Sequence, residues 1–189
     1  MSLFPVHTKE SAPEAARQIL EAVAGTFGFV PNLLGVMAIS PALAEAYVTL
    51  SGIFEKKSGL TTIEQQIVLL AVSRYHECHY CVAAHSMIAD RHKVPREVTD
   101  AIRNDRLISD PKLEALRQLT TSIVETRGRP PENVLQAFIN AGYLPSHVFD
   151  VLVGIAQKTL SNYSNHLADT PLDSSMEAYT WPPARKGAV

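Results

Sequence analysis

Between residues 62 and 94 the chain has neither glycine nor proline, and Ile67, Ala71, Tyr75, Cys78, Val82, His85 and Ala89 fall in one helical phase. That spacing predicts one long helix ended by Pro95. Thr61 and Glu64 are spaced as a capping box at its start, and Ser11 and Glu14 are spaced the same way further upstream. A helix from Ser11 is expected to run to about Ala24, with Gly25 as its stop. Pro31 opens a short helix, and Ser40 followed by Pro41 caps another that should run to Lys57. Downstream, residues 95–104, 110–125, 131–141 and 146–168 read as helices, with Gly128 and Gly142 as stops. No alternating pattern of useful length argues for a strand. The expected fold class is therefore all-α, a compact bundle of about seven or eight helices. The C-terminal tail, 176–189, reads as an ordered patch followed by a loose end.

A shift of 83 residues lays Gly59 on Gly142, Val68 on Val151 and Tyr80 on Tyr163. The same shift lays Cys78-His79-Tyr80-Cys81 over Ser161-Asn162-Tyr163-Ser164, so that both cysteines meet serine. This pattern is a candidate degenerate internal repeat in which only the first copy keeps thiols. At 189 residues the chain has the length of one well-buried domain, and a split would leave two small ones. One domain over 1–189 is expected, with its core at about 13–175.

Composition changes the picture mainly by exclusion. A formal charge of −2 with scattered basic residues gives no electrostatic reason to expect nucleic acid or an anionic membrane. The opening MSLFPVHTKE lacks the basic and apolar regions of a secretory signal, and runs such as IVLLAV fall short of a membrane span. A reducing cytoplasm is the expected compartment. There, a close cysteine pair points to redox chemistry or a metal rather than to a structural disulfide.

The chain has 2 cysteines, and both lie in the stretch ECHYCVAAHS. On a helix Cys78, Cys81 and His85 share one stripe. Residues three apart there are roughly 5 Å from one another, inside the range a disulfide accepts. An ordinary thiol, with a pKa of about 8.5, is mostly protonated at neutral pH, so reactivity requires something that stabilises the thiolate. A helix beginning at Cys78 would favour negative charge on that sulfur, and His85 would take or hold the proton of the other. Two other readings stand beside this one: the cysteines as inert core residues, and zinc held by Cys78, Cys81 and His85 with His76, His79 or water as the fourth ligand. Covalent haem is excluded because Val82, not histidine, follows the second cysteine.

The pattern Cys78-x-x-Cys81-x-x-x-His85 resembles the active-site motif of the AhpD-like proteins in the carboxymuconolactone decarboxylase superfamily. The flanks VPNLLGVMAISPAL, EQQIVLLAVSRYHECHYCVAAHS and SNYSNHLADTPLD are similar as well, closest to the peroxidase-related branch. The resemblance implies an all-helical fold, homo-oligomers that are often trimers or hexamers, no cofactor, and reduction of an organic hydroperoxide. It implies that Cys81 attacks the peroxide, that Cys78 resolves the sulfenic acid as a disulfide, that His85 belongs to the proton relay, and that an external dithiol restores both thiols. Decarboxylase chemistry, which names the superfamily, is the other activity the resemblance leaves open.

One position departs from the pattern. AhpD proteins carry a glutamate twelve residues before the first cysteine, where this chain has Gln66, and an amide cannot exchange a proton as a carboxylate does. Glu64 is near in sequence, but two residues along a helix place it on the opposite face, where it serves as partner of Thr61. In one unbroken helix Gln66 would lie roughly 18 Å from Cys78. A relay of the AhpD kind therefore requires the chain to bend near residues 75–77.

Overall fold

The structure, a computed structural model, describes residues 3–181. These residues form nine α-helices: α1 (Glu14–Phe27), α2 (Asn32–Met37), α3 (Pro41–Lys57), α4 (Thr62–Tyr75), α5 (His79–Arg91), α6 (Arg96–Arg103), α7 (Pro111–Glu125), α8 (Glu132–Asn140) and α9 (Pro145–Ala168), then a 3-10 turn at Ser174–Tyr179. No strand occurs among the described residues, and the protein is an all-α helical bundle.

Most helix starts follow the expected chemistry. The Ser40 hydroxyl accepts from the Leu43 amide at the head of α3, and Thr61 and Glu64 form the complete capping box of α4. Asp110 caps α7 through the amides of Lys112 and Leu113. At α1 the structure corrects the prediction. Ser11 accepts from the Thr8 amide instead of pairing with Glu14, and Pro13 occupies the cap position. The helix passes through Gly25 and ends three residues later at Gly28, whose φ of 82° suits a residue without a Cβ.

Helix α4 is the axis of the fold. Every residue from Glu64 to Ser73 is buried, because α5, α6, α7 and α9 all pack against it. Two apolar clusters share the interior. One is built on α4, α6, α7, α8 and α9, with Phe54, Leu116, Leu119 and Phe138 at its centre. The other joins α1, α2 and α3 to α5 and contains both cysteines. Gly154 lets α9 approach: a Cβ there would stand 2.7 Å from Val68 Cγ1 and 2.9 Å from Phe54 Cζ. This contact seats the middle of α9 against α4, one turn before the residues that reach the cysteines.

The uniform periodicity of residues 62–94 conceals a sharp break. The amides of His76, Glu77 and Cys78 turn back to the carbonyls of Val72, Arg74 and Ser73, which closes α4. Glu77 adopts φ 54°, left-handed, at a cost of about 1–2 kcal/mol for a residue with a Cβ. Cys78 then becomes the N-cap of α5. The bend folds α5 back along α4 and brings the thiol end of one helix to the side of the other.

The 83-residue shift carries the start of α4 onto that of α9 and the end of α3 onto that of α8. Where α4 breaks, α9 continues as one helix to Ala168. The ordered part of the tail buries Met176 and Trp181. Trp181 donates its indole N–H to the Arg103 carbonyl at 3.0 Å and lies under the Arg74 guanidinium. The expected loose end falls on residues 182–189, which lie outside the described residues. Among the described residues no single helix is long and apolar enough to cross a membrane.

Candidate active site

Cys78 caps α5 and Cys81 lies in its first turn; both are free thiols, each 1% exposed. The Cys78 thiol donates to the Cys81 sulfur. From α9, the side-chain amide of Asn165 donates to both sulfurs, at 3.2 Å to Cys81 and 3.7 Å to Cys78. The Ser161 hydroxyl lies 3.8 Å from Cys81 Sγ. As a thiol, Cys81 donates to that hydroxyl, which in turn donates to the Lys158 carbonyl at 3.2 Å. As a thiolate, Cys81 accepts from it instead.

Lys158 is 1% exposed, and its Nζ stands 2.9 Å from His85 Nε2. An ammonium can only donate, so Nε2 is the acceptor and the ring proton is on Nδ1. Nδ1 in turn donates to Gln66 Oε1 at 3.2 Å. Gln66 thus fixes the tautomer of His85, and His85 fixes Lys158. The bend at Glu77 makes this row possible, since it sets residue 66 of α4 beside residue 85 of α5.

The electrostatics separate the two sulfurs. Cys78 is held far above an ordinary thiol, first because it donates to Cys81 and then by burial. For Cys81 burial is the largest influence and acts upward. The hydrogen bond from Cys78, the charge of Lys158 and the Ser161 hydroxyl outweigh it and leave the thiol well below its ordinary pKa. Burial pulls Lys158 down, but the negative charge of Cys81 more than offsets this and its pKa is raised. His85 is held well below its ordinary pKa by burial and then by the charge of Lys158, so the imidazole is neutral. The sequence-based expectation that the helix start would favour charge on Cys78 is therefore reversed. Three donors plus a buried cation converge on Cys81, and one helix end does not compete with them.

A cavity of about 390 Å3 opens on this row. Its floor carries Cys81, His85, Lys158 and Tyr47, and its walls are mostly apolar, with Phe27, Leu33, Val48 and Met176 among them. Cys78 does not line it. Tyr47 interacts with Gln157 and Ser161, and its phenol is raised by burial against the opposing effect of Lys158. Tyr80 also lines the cavity; its hydroxyl accepts from the Leu33 amide and donates to Asp173, which holds the tail across the cavity.

Of the residues singled out by sequence, Cys78, Cys81, His85 and Gln66 come together, and Glu64 does not. Its carboxylate accepts from the Thr61 amide and hydroxyl at 2.8 Å each and pairs with Lys112 at 3.0 Å, at the far end of α4. The zinc donors do not gather. His85 faces Lys158 and Gln66, His79 is exposed, and His76, half-buried rather than at the surface, donates to Asn162 Oδ1 at 2.9 Å. Among the described residues no group of three or more His, Cys, Asp or Glu side chains is arranged to hold a metal.

Lys158, Ser161 and Asn165 escaped the sequence reading, yet a signal for them exists. They recur at helical spacing on the same buried face as Val151 and Gly154, so the inward stripe of α9 turns from apolar to polar halfway along. Buried polar residues at core spacing require partners, and here the partners are the sulfurs and His85.

Comparison with curated proteins finds no match. Residues 41–122 match the carboxymuconolactone decarboxylase family, a segment that holds both cysteines, His85 and Gln66 but ends before α9. Among solved structures, the chain is similar to a peroxidase-related protein with an alkylhydroperoxidase AhpD core from Ralstonia eutropha JMP134. They share 22% identity over 97% of this chain and 98% of the other, with a TM-score of 0.81. It is also similar to the debrominase Bmp8, at 18% identity over 95% and 96% of the two chains and a TM-score of 0.79. A cysteine-to-alanine variant of that debrominase has been solved in complex with 2,3,4-tribromopyrrole. A peroxidase-related protein from Silicibacter sp. TM1040 shares 14% identity over 92% of each chain, with a TM-score of 0.73. The family match thus spans the helices that carry the cysteines, and the chain shares its helical architecture with these structures over nearly its whole length.

Proposed function

We propose that the protein is a thiol-dependent peroxidase that reduces an organic hydroperoxide through a Cys81–Cys78 disulfide cycle. The observation that carries this reading is the asymmetry of the pair: Cys81 lines the cavity and favours the thiolate, whereas Cys78 stands out of the cavity as a thiol pointed at the same sulfur. Cys81 Sγ attacks the terminal peroxide oxygen and the O–O bond breaks. The sulfenic acid keeps the hydroxyl, and the alkoxide leaves as an alcohol after taking a proton within the site. Cys78 then attacks Cys81 Sγ, and its proton leaves with the hydroxyl as water. An external dithiol reduces the bridge by exchange, which suits a reducing compartment such as the cytoplasm. The apolar walls favour an organic hydroperoxide over hydrogen peroxide.

One equivalent of cumene hydroperoxide should remove both titratable thiols, and mass spectrometry should locate a single Cys78–Cys81 bridge. Intact thiols in folded protein after that treatment would refute the cycle. The similarity to a debrominase, together with the apolar cavity, favours a second substrate for the same thiols. There Cys81 would accept bromine from a brominated heteroaromatic ring, the ring carbon would take a proton, and Cys78 would displace bromide to form the same bridge. Bromide release without peroxide turnover would select this reading.

We further propose that the chain assembles with copies of itself through α9. Phe149, Tyr163 and Leu167 are 68%, 51% and 73% exposed in the single chain, and with Leu152 they form an apolar stripe along the helix. The wild-type protein is expected to sediment as a trimer or hexamer, and a Phe149→Glu, Leu167→Glu double variant as a folded monomer. A monomeric wild type would overturn the assembly.

A further inference from the structure

We infer that Lys158 is a catalytic residue, the cation that holds Cys81 as a thiolate and the acid that protonates the departing alkoxide. This inference rests on the peroxidase reading above.

The AhpD pattern supplies a carboxylate at the position of Gln66, and the geometry here shows what replaces it. His85 Nδ1 donates to an amide oxygen that cannot accept the proton fully, and its Nε2 is occupied by Lys158. The row therefore ends at Gln66 without a base, and the imidazole serves as a neutral acceptor. Lys158 is the member of the row that carries both charge and a transferable proton, and it lines the cavity beside Cys81.

A buried ammonium requires a counter-charge. The titratable groups facing Lys158 are Cys81 and Cys78 at the start of α5, His85 further along α5, Tyr47 of α3 and His76 at the end of α4. None is a carboxylate, and no Asp or Glu pairs with Lys158 among the described residues. The two histidines are neutral or cationic. Tyr47 and Cys78 are both raised and keep their protons. Cys81 is left as the anion, and the pair of Cys81 thiolate with Lys158 ammonium is the resting charge state of the site.

The proton count then closes inside the cavity. Thiolate attack breaks the O–O bond and forms Cys81–S–OH, while the alkoxide takes a proton from Lys158 and leaves as alcohol. Cys78 forms the disulfide, and its proton converts the displaced hydroxide to water. The oxidised site holds a neutral disulfide and a neutral Lys158 amine, so no unpaired charge remains buried. When an external dithiol reduces the bridge, one of its two protons returns to Lys158 as Cys81 leaves as a thiolate, and the other goes to Cys78.

The test compares Lys158→Met, which removes the charge at similar volume, with Lys158→Arg, which keeps it. The first readout is the pH dependence of Cys81 alkylation by iodoacetamide, followed by mass spectrometry, which involves no peroxide. Lys158→Met should move the midpoint up by about 1–3 units and Lys158→Arg should leave it near wild type. The second readout is cumene hydroperoxide turnover at pH 7, expected to fall about 100-fold or more in Lys158→Met, within the range of a lost general acid. A Lys158→Met protein that titrates like wild type overturns the role of Lys158, whatever the turnover. A shifted titration in a protein whose wild type turns over no peroxide leaves Lys158 as the thiolate's partner and refutes the peroxidase reading instead. Should Lys158→Met fail to fold, 15N-lysine NMR on Cys81→Ala reports the same coupling. The Lys158 signal should lose its proton at lower pH than in wild type, and an unchanged titration overturns the inference.

Discussion

Replacing Cys81 with serine is expected to reduce peroxide turnover to background, a loss of about 1000-fold or more, as removal of an obligatory nucleophile does. Serine keeps the shape of the side chain, but its hydroxyl stays protonated where the thiol does not. Lys158, Ser161 and the Cys78 thiol hold a thiol well below its ordinary pKa, but they cannot bring an alcohol far enough to ionise. Cys78→Ser should behave differently. Its Cys81 remains against the cavity floor with Asn165 and Lys158 in place, so a first equivalent of peroxide is consumed in a burst. The reaction then stalls with Cys81 as a sulfenic acid, detectable with dimedone, and excess peroxide carries it on to sulfinic acid. Stopped-flow peroxide consumption with mass spectrometry checks both variants. Full turnover by Cys81→Ser would place the attack elsewhere, and steady turnover by Cys78→Ser would assign resolution to an outside thiol.

Loss of stability on acidification is the second large effect expected, and it belongs to His85. Its imidazole is neutral in the folded protein, held well below its ordinary pKa by burial and by Lys158. The unfolded chain binds a proton there below about pH 6.5, and the native protein does not. Stability is therefore complete above that pH and declines as pH falls below it, with a slope approaching 1.4 kcal/mol per unit, about the limit for one proton. His85→Leu should abolish this part of the slope. It should also lower stability at pH 7.5 by about 2–4 kcal/mol, because the Lys158 ammonium and Gln66 Oε1 both lose their buried partner. His85→Gln retains an acceptor and is expected to recover much of that loss. Urea unfolding of the three proteins from pH 5 to 8 checks the assignment. An acid slope unchanged in His85→Leu would show that another group carries it.

This expectation gives His85 a different part from the one its motif position implies. The resemblance assigns it to a relay acting on Cys81, whereas the hydrogen bonds place Lys158 between the imidazole and the sulfur environment. A carboxylate at position 66 would make the imidazole basic enough to hold a proton. The amide that stands there offers no such charge, so burial and Lys158 leave the imidazole neutral, and it acts as the acceptor that positions an ammonium.

Local pattern determined the helices, since glycine, proline and capping chemistry act over a few residues. Ser40, Thr61 and Asp110 mark their helix starts in the sequence as they do in space. Ser11 misled because its hydroxyl accepts from the Thr8 amide instead, with Pro13 in the cap position. The thiol pair and its histidine were equally visible, because three residues within two turns of one helix share a face whatever surrounds them. Tertiary structure decided the rest. The left-handed turn at Glu77 costs energy locally and is sustained only by what it permits, the packing of α5 back along α4, so no periodicity announces it. Which sulfur is held toward the thiolate also depended on the fold, since Lys158, Ser161 and Asn165 arrive from α9, some eighty residues further along the chain. A charge acts through distance in space, and the sequence interval between a lysine and a cysteine carries no record of that distance until the chain has packed.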